Sequence, residues 1–116
     1  MLIRIDQTAA EPLYEQVASS VRRAIAVGEA APGERLPVAR DLAASLDLNV
    51  HTVLRGYQLL RDEGLIELRR GRGAVVTADA TTRGRLQEAL RDLVAEARRI
   101  GMGATELTAL VTKEMQ

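Results

Sequence analysis

The chain has 116 residues, 16 basic and 16 acidic side chains and no cysteine, which fits one domain with a small appendage and excludes disulfides and thiolate metal sites. One histidine excludes a histidine-rich metal site, and a net charge of zero lacks the whole-protein basic excess that usually marks nucleic-acid binding. With no Phe, no Trp and only Tyr14 and Tyr57, the core must be built from Leu, Ile, Val and Ala; such a core is thin, and a second chain would help stabilise it.

The opening Met1-Leu2-Ile3-Arg4-Ile5-Asp6 is too short and too charged for a signal peptide. No apolar run approaches the roughly 20 residues a spanning helix needs, so a soluble cytoplasmic protein is expected. Residues 2–5 read as a strand or extended arm and 9–11 as a linker. Pro12 suits the first turn of a helix, where its missing N–H costs nothing. Leu13, Val17, Val21 and Ile25 then recur every four residues, with Ala18 and Ala24 alongside. That is one face of a helix over about residues 12–27, with Gly28 as its stop.

Ala31-Pro32-Gly33-Glu34 is a turn by composition. Leu36-Pro37 opens a second, short helix with Ala39, Leu42, Ala43 and Leu46 inward, and Asp47-Leu48 makes a tight connection. Asn49 is a good N-cap for the third helix, because its side chain can accept an orphan backbone N–H. Val53, Tyr57 and Leu60 face the core, and Gly64 ends the helix. Residues 65–69 and 74–77 are strands joined by the turn Arg70-Gly71-Arg72-Gly73, a β-hairpin with an Arg-bearing, Gly-rich tip. Residues 78–82 read as a linker. Leu86, Leu90, Leu93, Ala97 and Ile100 recur at helical spacing, and Val94 widens the stripe. Gly101-Met102-Gly103 breaks it, and Leu107, Leu110, Val111 and Met115 form the apolar face of a last short helix.

Two short helices with a tight turn, followed by a hairpin, describe a winged helix-turn-helix: mainly α, with a small β-hairpin. In such folds the recognition helix enters the major groove with its N-terminal residues at the base edges; here those are Asn49, Val50, His51 and Thr52. His51, Arg55 and Gln58 fall at i, i+4 and i+7, away from Val53 and Tyr57. They make a hydrogen-bonding stripe with no apolar member and nothing in the chain to face. Arg55 can pair bidentately with guanine and Gln58 can read adenine. Thr52 can bond a phosphate, and the helix N-terminus attracts one. Arg40 is placed to touch the backbone or a base edge. Arg72, between Gly71 and Gly73, can reach a minor groove. Residues 55–72 carry a local basic excess of two, and 15 of the 16 basic residues are Arg, which suits phosphate and guanine but fits a genome-composition bias equally. Each feature has a plainer reading alone: a solvated helix face, a surface histidine, an ordinary hairpin turn, an Arg paired with a nearby carboxylate. Their joint order favours DNA.

On these residues the chain resembles the GntR family of bacterial transcription regulators over residues 12–77. The matching pieces are Pro12-Leu13-Tyr14-Glu15-Gln16-Val17, Pro32-Gly33-Glu34-Arg35-Leu36-Pro37, Arg40-Asp41-Leu42-Ala43, Thr52-Val53, Asp62-Glu63-Gly64-Leu65-Ile66 and Gly71-Arg72-Gly73. The two-helix tail resembles that of the YtrA-type subfamily, where it is a dimerisation element. The chain has no room for the effector domain of larger members or the aminotransferase-like domain of the MocR-type branch. The resemblance implies that Arg40 contacts DNA from helix two, that Asn49 and Thr52 contact it from the start of the recognition helix, and that Gly71 to Gly73 form a wing tip in the minor groove. There are departures. Val38 stands where the family usually has a Ser N-cap, a loss of about 1 kcal/mol at the start of helix two. Val50 stands where the subfamily often has Pro. Leu54 stands where many members have a DNA-contacting Arg, with Arg55 one residue on. His51 is unusual, so base preference is not carried over.

The expected organisation is a winged helix-turn-helix DNA-binding domain over residues 1–78 and a two-helix dimerisation tail over residues 79–116. The tail's contact surface is Leu86, Leu90, Leu93, Val94, Ala97, Ile100, Leu107, Leu110 and Val111. The expected function is a sequence-specific transcription regulator, a repressor, that binds an inverted-repeat operator as a homodimer and is nucleoid-associated when bound. Its partners are double-stranded DNA and a second copy, with no membrane, metal or cofactor. The sequence carries no nucleophile elbow or phosphate-loop pattern, so no enzyme is expected. Three alternatives stay open: the tail stripes fold back over the head's own core, the winged helix binds protein in place of DNA, and a small-molecule effector sits between head and tail.

Overall fold

The computed structural model describes Met1 and residues 3–116. Five helices and one hairpin follow in order: α1 Leu13–Ala26, α2 Ala39–Leu46, α3 Val50–Asp62, β1 Ile66–Arg69, β2 Gly73–Val76, α4 Ala80–Arg99 and α5 Ala104–Met115. Pro12 stands at the N-cap position of α1, just ahead of the first turn in which it was expected, and Val17, Ala18, Val21, Ala24 and Ile25 bury the helix's apolar face in the core. Gln16, also buried, ties the preceding segment down. Its Oε1 accepts from the Asp6 N–H at 2.7 Å, and its Nε2 donates to the carbonyls of Asp6 and Glu11. Leu2 lies outside the described residues. Residues 3–5 form no strand, and Ile3 and Ile5 rest half-buried against the core.

The second helix starts at Ala39, not at the Leu36-Pro37 step. The proline ring disfavours the helical region for the residue before it, so Leu36 stays extended, and the segment from Gly33, itself left-handed in a turn (φ 85°), to Leu36 pairs with β2. The Gly33 N–H donates to the Val76 carbonyl at 2.8 Å, the Val76 N–H to Glu34 at 2.9 Å and the Leu36 N–H to Ala74 at 2.9 Å; Arg35 bridges Val75. β1 flanks β2 on the other side, antiparallel, with Ile66 opposite Val76 and Arg69 opposite Gly73. β2 is therefore an inner strand, which is why Ala74, Val75 and Val76 are all buried. Tyr57 fastens this edge to α3, donating from its hydroxyl to the Pro37 carbonyl at 2.7 Å. Burial pushes its pKa up to about 12.

The turn between α2 and α3 is tight because Asp47 takes a left-handed conformation (φ 55°), which a short polar side chain tolerates. The Leu48 N–H then donates back to the Ala43 carbonyl at 2.9 Å. α3 buries Val53, Gly56, Tyr57 and Leu60. Its crossing with α1 is so close that a Cβ on Gly56 would sit 2.9 Å from the Tyr14 backbone oxygen and 3.1 Å from Val17 Cγ1. At the far end of the same crossing, Arg22, with no exposed surface, makes two bonds of 2.8 Å from its Nε and Nη2 to the Glu63 carboxylate.

Residues 80–82, read from the sequence as part of a linker, belong to α4. Ala80 is in the core, and the Arg83 guanidinium reaches back to Asp79 at 2.6 Å, so one continuous helix leaves the wing. α4 docks on α1 through Gly84, where a Cβ would lie 3.3 Å from the Ala26 nitrogen and Ile25 Cγ2. Farther along, Glu88 and Arg91 still border a cleft shared with Ser19, Arg22 and Arg23 of α1, while the apolar stripe turns to solvent. Leu86 is 65% exposed and Ile100 74%, and Leu90, Leu93, Leu110, Val111 and Met115 are also exposed. Ala97 is buried, its carbonyl accepting from the Met102 N–H at 2.9 Å in the turn to α5. The radius of gyration is 15.6 Å, against about 13 Å for a compact chain of this length. The tail stripes do not fold over the head's core.

Glu63→Ala should lower stability by about 3–5 kcal/mol, because it strands the buried Arg22 charge; urea unfolding measures it, and the double change Arg22→Met with Glu63→Leu should recover most of the loss. Tyr57 supplies a pH prediction. Its folded pKa is raised above the ordinary value of 10.0, so its contribution is intact below pH 10 and declines as pH rises toward 12. Thermal unfolding at stepped alkaline pH should show a shallower loss over that window in Tyr57→Phe than in the wild type.

Candidate nucleic-acid interface

The face of α3 turned away from α1 carries His51, Leu54, Arg55 and Gln58, all exposed. At 100° per residue, His51 and Gln58 lie along its centre, Arg55 on one flank and Leu54 on the other. Asn49 caps the helix, its Oδ1 accepting from the His51 N–H at 2.8 Å. That bond satisfies one orphan N–H and sets His51 at the mouth of the first turn. Thr52 is half-buried beside it. Asn49, His51, Thr52 and Arg55 share one rim with Leu13 and Tyr14 of α1.

The stripe differs from the expected one in two ways. Arg55 has a neighbour: its guanidinium carbon sits 3.9 Å from the centroid of the Tyr14 ring. Stacking holds the plane while leaving its edge N–H groups free to donate, as a bidentate contact requires. No sequence signal pairs residues 41 positions apart, although Tyr14 is one of only two aromatic residues in the chain. The second difference is Leu54, an apolar member on the flank toward the hairpin, 39% exposed.

Across from Leu54 stands the wing. Gly71 (φ 79°) and Gly73 (φ 73°) hold left-handed conformations on either side of Arg72, a turn in which a side chain at either position would be strained. The Arg72 N–H donates to the Arg69 carbonyl at 3.1 Å, closing the tip with its own side chain exposed. Arg69 is held by Glu67 at 2.7 Å; Arg35, Arg40, Arg70 and Arg72 make no ion pair among the described residues. Between wing and α3 runs a groove floored by Leu36, Leu54 and Leu68 and edged by Arg35, Arg70 and Arg72. Val38, at the start of α2, lines it, 58% exposed and offering no side-chain cap. Arg40 follows in the first turn of α2, exposed. Most of the residues singled out from the sequence thus fall into two groups, the Asn49–Arg55 rim and the Gly71–Gly73 wing, with the groove between them; Gln58 lies one turn further along α3 and Arg40 on α2. Arg35 and Arg70 join the second group. The fold alone brings Arg35 there, through its bridge to Val75.

This surface can donate many hydrogen bonds to a polyanion and to base edges. Among the described residues no group of acidic, His or Cys side chains could hold a metal ion, and no helix is long and apolar enough to cross a membrane.

Comparison with known proteins agrees with this geometry. The family model described as bacterial regulatory proteins of the gntR family matches residues 13–76. The HTH-type transcriptional repressor YtrA of Bacillus subtilis is 33% identical over 112 residues, covering 91% of this chain and 86% of the repressor. The HTH-type transcriptional regulator Rv1152 of Mycobacterium tuberculosis is 30% identical over 110 residues, covering 95% and 91%. The solved structure of YtrA from Sulfolobus acidocaldarius, a GntR-family transcription factor, superposes with a TM-score of 0.67 at 34% identity, over 85% of this chain and 99% of that one.

Proposed function

The chain belongs to the GntR family of bacterial regulatory proteins, and on that premise we propose that it is a cytoplasmic repressor that reads an inverted-repeat operator as a homodimer. Regulating transcription through a DNA-binding helix-turn-helix is the family's activity, and its members are not enzymes. The observation that carries the reading is the exposed, Asn49-capped face of α3. It presents His51, Arg55 and Gln58 beside an Arg-tipped wing, while its opposite face is locked against α1. In this reading residues 1–78 are the DNA-binding domain. Asn49, His51, Thr52, Arg55 and Gln58 enter the major groove, Arg40 meets the backbone beside it, and Gly71, Arg72 and Gly73 approach the minor groove.

Residues 79–116 form the dimerisation tail. What supports this is the exposure of Leu86, Leu90, Leu93, Ile100, Leu110 and Val111 on the last two helices. A monomer rarely exposes so continuous an apolar stripe, and one winged helix reads too few base pairs to select one genomic site. Two-fold pairing doubles the contacts, and its operator mirrors that symmetry. Val94 and Leu107, both half-buried, border the stripe, and Ala97 is buried. Repression is the activity named for the Bacillus subtilis relative.

Fluorescence anisotropy against an inverted-repeat duplex from the gene's own promoter, beside a scrambled duplex and at several salt concentrations, tests the proposal. Salt-sensitive binding with a roughly thousandfold or greater preference for the repeat supports it; equal, weak binding to both overturns it. Arg55→Ala should cost about 1–3 kcal/mol on the operator and relax base preference, whereas Arg72→Ala should weaken operator and random duplex alike. Leu90→Glu should shift the mass seen by sedimentation equilibrium from twice the chain mass to the 12.6 kDa of one chain. Operator affinity should fall with it.

A further inference from the structure

We infer that Leu54 reads a thymine, through its 5-methyl group, on the side of the major groove nearer the wing; the inference rests on the operator reading above. Leu54 lies one helical turn after His51 and one before Gln58, at the depth of α3 where side chains meet base edges. Arg55, on the other flank, is drawn toward Tyr14, so the two flanks of the helix divide the work. One flank offers a guanidinium and the other a hydrocarbon. Leu54 can neither donate nor accept a hydrogen bond, and the feature of a major-groove edge that rewards such a side chain is the methyl of thymine. The groove around it has the same character, with Val38 and Leu68 both exposed along it. Its rim of Arg35, Arg70 and Arg72 suits a polyanion, and that charge selects DNA as the occupant over an apolar peptide.

The experiment begins with the operator recovered by selection from a randomised duplex pool. Each of its thymines is then replaced in turn by deoxyuridine, which keeps the base pair and every hydrogen-bonding group and removes only the methyl. One thymine per half-site should stand out: its replacement should weaken wild-type binding about fourfold, and replacement in both half-sites roughly fifteenfold. In Leu54→Ala the same replacements should change nothing, and selection should lose its preference for thymine there. Leu54 is exposed, so the variant keeps its fold, and Leu54→Val should fall between the two. The inference is overturned if no deoxyuridine position matters to the wild type, or if the penalty survives unchanged in Leu54→Ala. Failure to recover any preferred sequence overturns the operator reading itself, and this inference with it. Recovery of an operator indifferent to deoxyuridine overturns this inference alone.

Discussion

The close crossing of α3 over α1 governs what the molecule presents to its surroundings. Gly56 permits it, because the space a side chain would need is filled by the Tyr14 carbonyl oxygen, 2.9 Å away. That neighbour is backbone and cannot swing aside. At the other end the Arg22–Glu63 pair closes the crossing with two parallel bonds in a site where Arg22 has no contact with solvent. A buried pair of this kind adds little net stability relative to well-packed apolar residues. Its effect is geometric, since one placement of α3 satisfies both guanidinium bonds. With both ends set, the outer face of α3 is fixed, and Tyr14 comes to the edge where it meets Arg55.

The second constraint is Pro37. By keeping Leu36 extended it turns the loop after α1 into a third edge of the wing and delays α2 to Ala39. The Tyr57 hydroxyl on the Pro37 carbonyl then joins this edge to the recognition helix. Helix and wing therefore share one rigid support, and the groove between them keeps its width. A rigid support matters for recognition, because base-edge contacts reward only side chains already held near their bonding geometry. The zero net charge of the chain has no bearing here, because the wing and the start of α2 gather arginines locally.

The tail follows a different logic. A core with no Phe and no Trp ends at Ala80 and Gly84, small residues that let α4 pack closely on α1. Past that contact the helix has no surface of its own chain left to cover its leucines, and α5 has no buried residue. A second copy would supply the missing partner, and the same pairing would place two recognition helices at a fixed separation.

Much of this was legible in the residues. Apolar period located all five helices, Asn49 announced the cap of α3, the Gly-Arg-Gly turn announced the wing, and the polar stripe of α3 was visible as period alone. These signals are local, set within a few residues by hydrogen bonding and helix geometry. The sequence did not show that residues 33–36 would join the hairpin, that α4 would begin at Ala80, that Arg55 would stack on Tyr14 or that Arg22 would be buried against Glu63. Gly56 carried a faint signal, as a glycine inside a helix is costly unless something approaches closely. Each of these depends on groups tens of residues apart. Which distant group lies within reach is decided by how the helices pack, so local pattern determined the elements and the tertiary crossing decided what they meet.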